Sequence, residues 1–97
     1  MMRVIWSASA LGHLDTIFAY LEPQSETYAR QTINRLVLAA DGLGDFPDMG
    51  HKVPELGDHR REIFERPYRI IYSSSEAYVE ILAVVHGSRG NLKTAMR

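Results

Sequence analysis

The order of apolar and polar residues divides the chain into one short strand, two helices and a group of later strands. The β-branched and aromatic run from Arg3 to Trp6 favours a strand, and Ser7 is suited to cap a following helix. From Ala8 to about Glu22, large apolar residues recur at spacings of three and four, which predicts a helix with one apolar face. These residues are Leu11, Leu14, Ile17, Phe18 and Leu21. Pro23 then ends the helix.

A second helix is predicted to begin near Ser25 and to form a hairpin with the first. Its apolar positions, at helical spacing, are Tyr28, Ala29, Ile33, Leu36, Val37 and Ala40. Gly42 and Gly44 can adopt the left-handed conformation that ends a helix. The segment 42–50, with its glycines, proline and aspartates, is predicted to be a connector.

Three strands are predicted after the connector, namely Arg61 to Glu65, Tyr68 to Ser73 and Tyr78 to His86. The turn-prone joints between them are short, which predicts an antiparallel meander. The last strand is apolar on both faces except at Glu80, as is typical of a central strand.

The pattern as a whole predicts a single α+β domain spanning residues 1–97. The helical hairpin would cover one face of a sheet made from the first strand and three or four antiparallel strands. We expect the first strand to lie at the edge of this sheet or beside the last strand. A chain of 97 residues with 45% hydrophobic composition can bury one modest core.

Composition narrows the classes of function. The chain has no cysteine, which excludes disulfides and thiolate metal sites, and it has no long apolar run. The first residues lack the apolar region of a secretory signal, so we expect a cytoplasmic protein. His13, His51 and His59 show no ligand-like spacing, so we expect no metal and no cofactor.

Charge is unevenly distributed along the chain. Up to Gly50 there are three basic and six acidic side chains, and after Gly50 there are eight and six. Arg89, Lys93 and Arg97 form a tail without any acid, which suggests an acidic or phosphate-bearing target. The alternative is that these are ordinary solubilising charges.

Arg69 is the strongest single candidate for chemistry. Side chains alternate along its strand, so the guanidinium projects opposite the neighbouring tyrosines Tyr68 and Tyr72. A guanidinium on a rigid strand presents a fixed fork suited to phosphate or carboxylate. The alternative is that Arg69 pairs across strands with Glu62 or Glu80 and supports the sheet.

Longer motifs connect these elements to a known family. The segment from Val53 reads V-P-E-L-G-D-H-R-R-E-I-F-E-R-P-Y-R-I-I-Y, and that from Tyr78 reads Y-V-E-I-L-A-V-V-H-G-S-R. Together with the N-terminal V-I-W-S, they resemble the RelE/ParE superfamily of type II toxin–antitoxin toxins over nearly the whole chain. The resemblance implies an antitoxin, expected to be of the ribbon-helix-helix type, that lays an amphipathic helix and an added strand on the toxin.

The resemblance leaves three functions open: a ParE-like inhibitor of DNA gyrase, a RelE-like ribosome-dependent endoribonuclease, and a degenerate toxin that binds its antitoxin alone. For the ribonuclease, it implies catalytic roles for Arg69 and Arg89, and Glu55 matches a carboxylate used as a base in one branch. His86, at the end of its strand, could by its own chemistry serve as a general acid or base, and the alternative is that it is structural. The tyrosine or histidine that the ribonuclease branch carries among its final residues is missing from 92–97. We therefore favour the gyrase inhibitor.

Two sets of contact residues follow from this interpretation. For the target, the expected residues are the arginines and lysine of the strands and tail: Arg61, Arg69, Arg89, Lys93 and Arg97. For the antitoxin, they are apolar residues of the first helix: Leu14, Phe18 and Leu21.

Overall fold

The computed structural model describes residues 1–87, which form two helices and one five-stranded sheet. The elements in chain order are β1 (Arg3–Trp6), α1 (Ala8–Leu21), α2 (Glu26–Asp41), β2 (His51–Lys52), β3 (Arg60–Glu65), β4 (Tyr68–Ser74) and β5 (Tyr78–His86). Short 3₁₀ turns occupy Gly42–Gly44 and Pro54–Leu56. The predicted strands and helices are confirmed to within a residue or two.

The strands lie side by side in the order β1-β5-β4-β3-β2. β1 runs parallel to β5, while the remaining neighbours are antiparallel. The first strand is thus both at the edge and beside the last, and β5 is internal, as its apolar pattern indicated. β2 supplies the fourth antiparallel strand. Its two residues are too few to give an alternating pattern in the sequence.

Serine caps start both helices. The Ser7 hydroxyl accepts a hydrogen bond from the Ala10 N–H (3.0 Å), and the Ser25 hydroxyl accepts one from the Tyr28 N–H (3.1 Å). The backbone N–H of Ser7 also donates to the Ile81 carbonyl (2.9 Å). The residue that begins α1 therefore still belongs to the β1–β5 ladder, which fixes the helix relative to the sheet.

The main core lies between the helices and one sheet face, called here the helix face. Its fully buried side chains include Leu36, Leu43, Ile70, Tyr72 and Ile81. On α1 the inward positions are Ala10, Leu14 and Leu21, whereas Leu11 is 50% exposed. The predicted inward position of Leu11 is wrong because Ala10 takes the central place against the sheet and turns Leu11 outward.

The predicted left-handed ending of α2 is also wrong. Gly42 has φ −60° and leads into a right-handed 3₁₀ turn, and Gly57 is the glycine with positive φ (102°) among residues 1–87. Gly44 instead allows close packing, because an added Cβ would lie 2.6 Å from the Met2 carbonyl oxygen. The Met2 N–H donates to the Gly44 carbonyl at this contact (2.8 Å).

The other sheet face, called here the opposite face, carries a smaller apolar cluster. Val53, Ile71, Ala83 and Val85 are buried there, with Leu56 of the Pro54–Leu56 turn packed against them. Arg69 lies on this face because it alternates with Ile70 and Tyr68. Neither helix described in 1–87 is long and apolar enough to cross a membrane.

Candidate functional site

Arg69 forms an ion pair with Glu62 of the adjacent strand β3. The Nη2 atom of Arg69 donates to Oε2 of Glu62, and the two side chains are 17% and 8% exposed. The Phe64 ring, opposite Arg69 in the β3–β4 register, has its centroid 5.7 Å from the guanidinium carbon. The sequence left two carboxylates open as partners of Arg69, and the one that pairs with it in the structure is Glu62. The cation is thus held by a carboxylate and an aromatic ring, largely out of water.

The second expected partner, Glu80, lies too far along the sheet to reach this guanidinium. It is opposite Ser73 in the β4–β5 register, whereas Arg69 is opposite Val85. The Nε atom of Arg69 is buried and has no hydrogen-bond acceptor among residues 1–87. Within residues 1–87, Glu62 is thus the hydrogen-bond acceptor of this guanidinium.

His86 lies on the helix face, across the sheet from Arg69. It is opposite Tyr68 in the β4–β5 register, and the two rings meet edge to face with centroids 5.7 Å apart at 79°. Tyr68 belongs to the main core, and its burial raises the pKa of its phenol above the usual 10.0. The structure therefore separates the two strand residues that a shared catalytic centre would bring together.

The remaining expected catalytic residues do not complete such a centre within 1–87. Glu55 is exposed in the turn that packs on the opposite face. Arg89 lies outside the residues that the structure describes, as do Lys93 and Arg97. No group of three or more histidines, aspartates and glutamates among the described residues could hold a metal ion.

Arg61 and Tyr72 together anchor the loop before β2. The Arg61 guanidinium donates to the carbonyls of Gly50 (2.7 Å) and Asp48 (3.3 Å). The Tyr72 hydroxyl donates to the Pro47 carbonyl (2.7 Å) and accepts from the Gly50 N–H (2.9 Å). Burial raises the pKa of this phenol above its usual 10.0. Sequence analysis missed the role of Tyr72, because an apolar strand position does not reveal where its hydroxyl points.

A cavity of about 700 Å³ lies between α1 and α2. Its apolar lining comes from Leu11, Leu14, Phe18 and Ile33, and charged groups are placed around it: Asp15, Glu22 and Arg30. Two of the three expected antitoxin residues therefore line one cavity, although Leu14 is 9% exposed. The third, Leu21, does not line it and is buried in the protein at 8% exposure. Sequence analysis placed Leu11 on the same apolar face of α1 as Leu14 and Phe18 but did not include it among the antitoxin contacts.

Comparison with known proteins shows which family this chain resembles. A family model described as the ParE toxin of the type II toxin–antitoxin system, parDE, matches residues 4–90. Toxin RelE2 of Caulobacter vibrioides is 30% identical over 89 residues, which cover 92% of this chain and 99% of that protein. A toxin-like protein of Sinorhizobium fredii designated Y4kP is 33% identical over 84 residues, covering 87% and 86%.

Solved structures agree with the fold. A chromosomal ParDE toxin–antitoxin system from P. aeruginosa superposes with a TM-score of 0.75 at 21% identity, covering 89% of this chain and 96% of that one. A YoeB dimer from Staphylococcus aureus gives a TM-score of 0.53 at 15% identity, with 88% and 95% covered. The chain belongs to the ParE toxin family of type II toxin–antitoxin systems, within the RelE/ParE superfamily.

Proposed function

We propose that this toxin arrests bacterial growth by binding and poisoning DNA gyrase in the cytoplasm, without cutting RNA. The observation that carries the proposal is the placement of Arg69 and His86 on opposite sheet faces, with the guanidinium already paired to Glu62. A ribonuclease needs its cationic and acid–base groups around one scissile phosphate. The match of residues 4–90 to the ParE family model also supports this proposal.

Gyrase inhibition is tested with purified toxin in a DNA supercoiling assay. We expect loss of supercoiling as toxin is added and its recovery when the cognate antitoxin is present in excess. The same preparation, incubated with translating ribosomes, should leave the messenger RNA intact. Normal supercoiling together with site-specific cuts in ribosome-bound RNA would instead establish the ribonuclease.

We further propose that the cavity between α1 and α2 receives an amphipathic helix of the antitoxin. Leu11 is 50% exposed and Phe18 is partly exposed, so apolar surface remains for a partner on this side of α1. Asp15 and Glu22 line the same cavity, which favours basic residues on the flank of the incoming helix. Arg30 is already engaged by Glu26 (3.2 Å) and lies over the Phe18 ring.

Leu11→Glu tests this site, with Leu38→Glu as the matched control. Leu38 is 70% exposed on α2 and does not line the cavity. We expect Leu11→Glu to weaken antitoxin binding by at least about tenfold, since it places a charge in an apolar contact. Leu38→Glu should bind normally, and both variants should still inhibit gyrase. Equal antitoxin affinity for both variants would place the antitoxin elsewhere.

A further inference from the structure

Along one edge of β5, the neighbouring element changes halfway along the strand. β1 pairs with β5 from Tyr78 to Ile81 and ends at Trp6, while β5 continues to His86. Beyond this point α1 covers the edge that β1 has left. The other edge of β5 remains paired with β4, but on this edge the backbone groups of its second half must find partners other than a strand.

The N-cap residue of α1 and a side chain within the helix supply these partners. The Ser7 hydroxyl donates to the Leu82 carbonyl (3.2 Å), and the Val84 N–H donates to Nδ1 of His13 (3.0 Å). Val84 is 3% exposed, so its N–H has little access to water. Loss of the histidine acceptor would leave a buried donor unpaired, which costs more than an ordinary hydrogen bond gains.

We propose that His13 is a positioning residue that fastens α1 to β5 when neutral and releases it when protonated. An imidazole accepts at Nδ1 when it is neutral with its proton on Nε2, and both ring nitrogens become donors in the cation. Histidine changes charge within about pH 5 to 8, so mild acid removes the acceptor that Val84 uses. This inference concerns the toxin chain alone and does not rest on its target.

Three other titratable groups lie near His13 among residues 1–87. A cavity of about 360 Å³ beside the imidazole is lined by Tyr20 of α1, Tyr68 of β4 and His86 of β5. On the far side of α1, Asp15 and Arg30 line the other cavity. Because His86 is a second histidine in this cavity, the test must distinguish the two.

The test measures amide hydrogen exchange by NMR at pH 7.5 and pH 5.5, expressed as protection factors. In the parent protein, protection at Val84 should fall about tenfold at the lower pH, while protection at Ser7, which donates to Ile81, should change less. His13→Asn keeps an acceptor oxygen that cannot be protonated, so Val84 should stay protected at both values. His13→Ala should lose that protection at both.

His86→Asn is the control for the second histidine and should keep the pH response of the parent. The inference is overturned if Val84 protection in the parent is equal at the two pH values, or if His13→Asn responds as the parent does. It is also overturned if His86→Asn abolishes the response, or if Ser7 and Val84 lose protection equally. Should His13→Ala fail to fold, the comparison of parent and His13→Asn still decides the question.

Discussion

Arg69 and Glu62 depend on each other because both are mostly removed from water. Substituting Arg69 by Met leaves a buried carboxylate without its cation, and we expect a loss of about 3–5 kcal/mol in unfolding free energy. The double variant Arg69→Met with Glu62→Leu removes both charges and should recover most of that loss. Urea denaturation of the three proteins checks this. A single variant within about 1 kcal/mol of the parent would contradict the importance of the pair.

The double variant also separates a structural from a functional arginine. It should be folded, so its toxicity in cells reports directly on whether the target needs the guanidinium. Because Arg69 is paired and buried, we expect the double variant to remain toxic. A folded but harmless double variant would show that Arg69 leaves Glu62 to bind the target.

Tyr72 gives a prediction about the loop that it anchors. Tyr72→Phe removes the acceptor of the buried Gly50 N–H and the donor to Pro47, so we expect a loss of about 1–3 kcal/mol at neutral pH. Tyr20→Phe, at a position 72% exposed, is the matched control and should change stability little. Equilibrium unfolding at pH 7 measures both.

From the same buried phenol we predict how the free energy of unfolding changes at alkaline pH. Burial raises the pKa of Tyr72 in the folded state, while the unfolded chain has the ordinary value of 10.0. The protonated form thus stabilises the fold below pH 10.0, and this stabilisation is lost as pH rises through the raised folded value. Tyr72→Phe should show a shallower alkaline decline of unfolding free energy than the parent. A decline of the same steepness would assign the effect to other groups, among them the buried Tyr68.

At the scale of elements, local signals predicted where most helices and strands begin. The serine caps and apolar periodicity located α1 and α2, because these signals act within a few residues. The orientation of Leu11 could not be predicted, since it depends on how closely Ala10 approaches the sheet. The predicted left-handed conformation of Gly42 was wrong for a similar reason. The 3₁₀ turn that replaces the expected helix ending is fixed by the contact between Gly44 and Met2.

Alanine substitutions at two glycines test whether local helix propensity or tertiary contact decides stability, because their expected effects are opposite. Gly12 lies exposed on α1 with nothing within 4 Å of an added Cβ, so Gly12→Ala should stabilise the protein by about 1 kcal/mol through helix propensity. At Gly50 the Cβ would lie 2.6 Å from the Glu62 carbonyl oxygen and 2.7 Å from the Tyr72 hydroxyl. Gly50→Ala should therefore lower the melting temperature, while Gly12→Ala raises it. Shifts in the same direction would show that local propensity governs both sites.

At the scale of the whole molecule, the described elements are complete by His86. Removing residues 90–97 should keep the fold, because this segment contains only Leu92 and Met96 as large apolar side chains, and circular dichroism and a melting curve would show it. Toxicity should fall if Lys93 and Arg97 contact the target. A folded, fully toxic truncated protein would assign these charges to solubility alone. In contrast, removing residues 1–6 should unfold the chain, because Val4 and Trp6 pack on the main core.

The site was predictable in part, and the limit has a physical cause. Strand alternation correctly placed Arg69 opposite Tyr68 and Tyr72, since that pattern is local. The choice between Glu62 and Glu80 required the register of three strands, including an irregularity of the β4–β5 ladder at Ile71/Tyr72. The cavity between the helices could not be predicted, because it depends on how α1 and α2 are placed relative to each other. No short segment of the sequence determines that placement.

The pairing of β1 with β5 has a consequence for synthesis on the ribosome. The strand made first lies beside β5, the last strand within residues 1–87, so their pairing cannot form until residues 78–81 have been translated. Contacts so distant in sequence form late, after the loop between them has been ordered. A growing chain therefore carries an incomplete core through most of its translation.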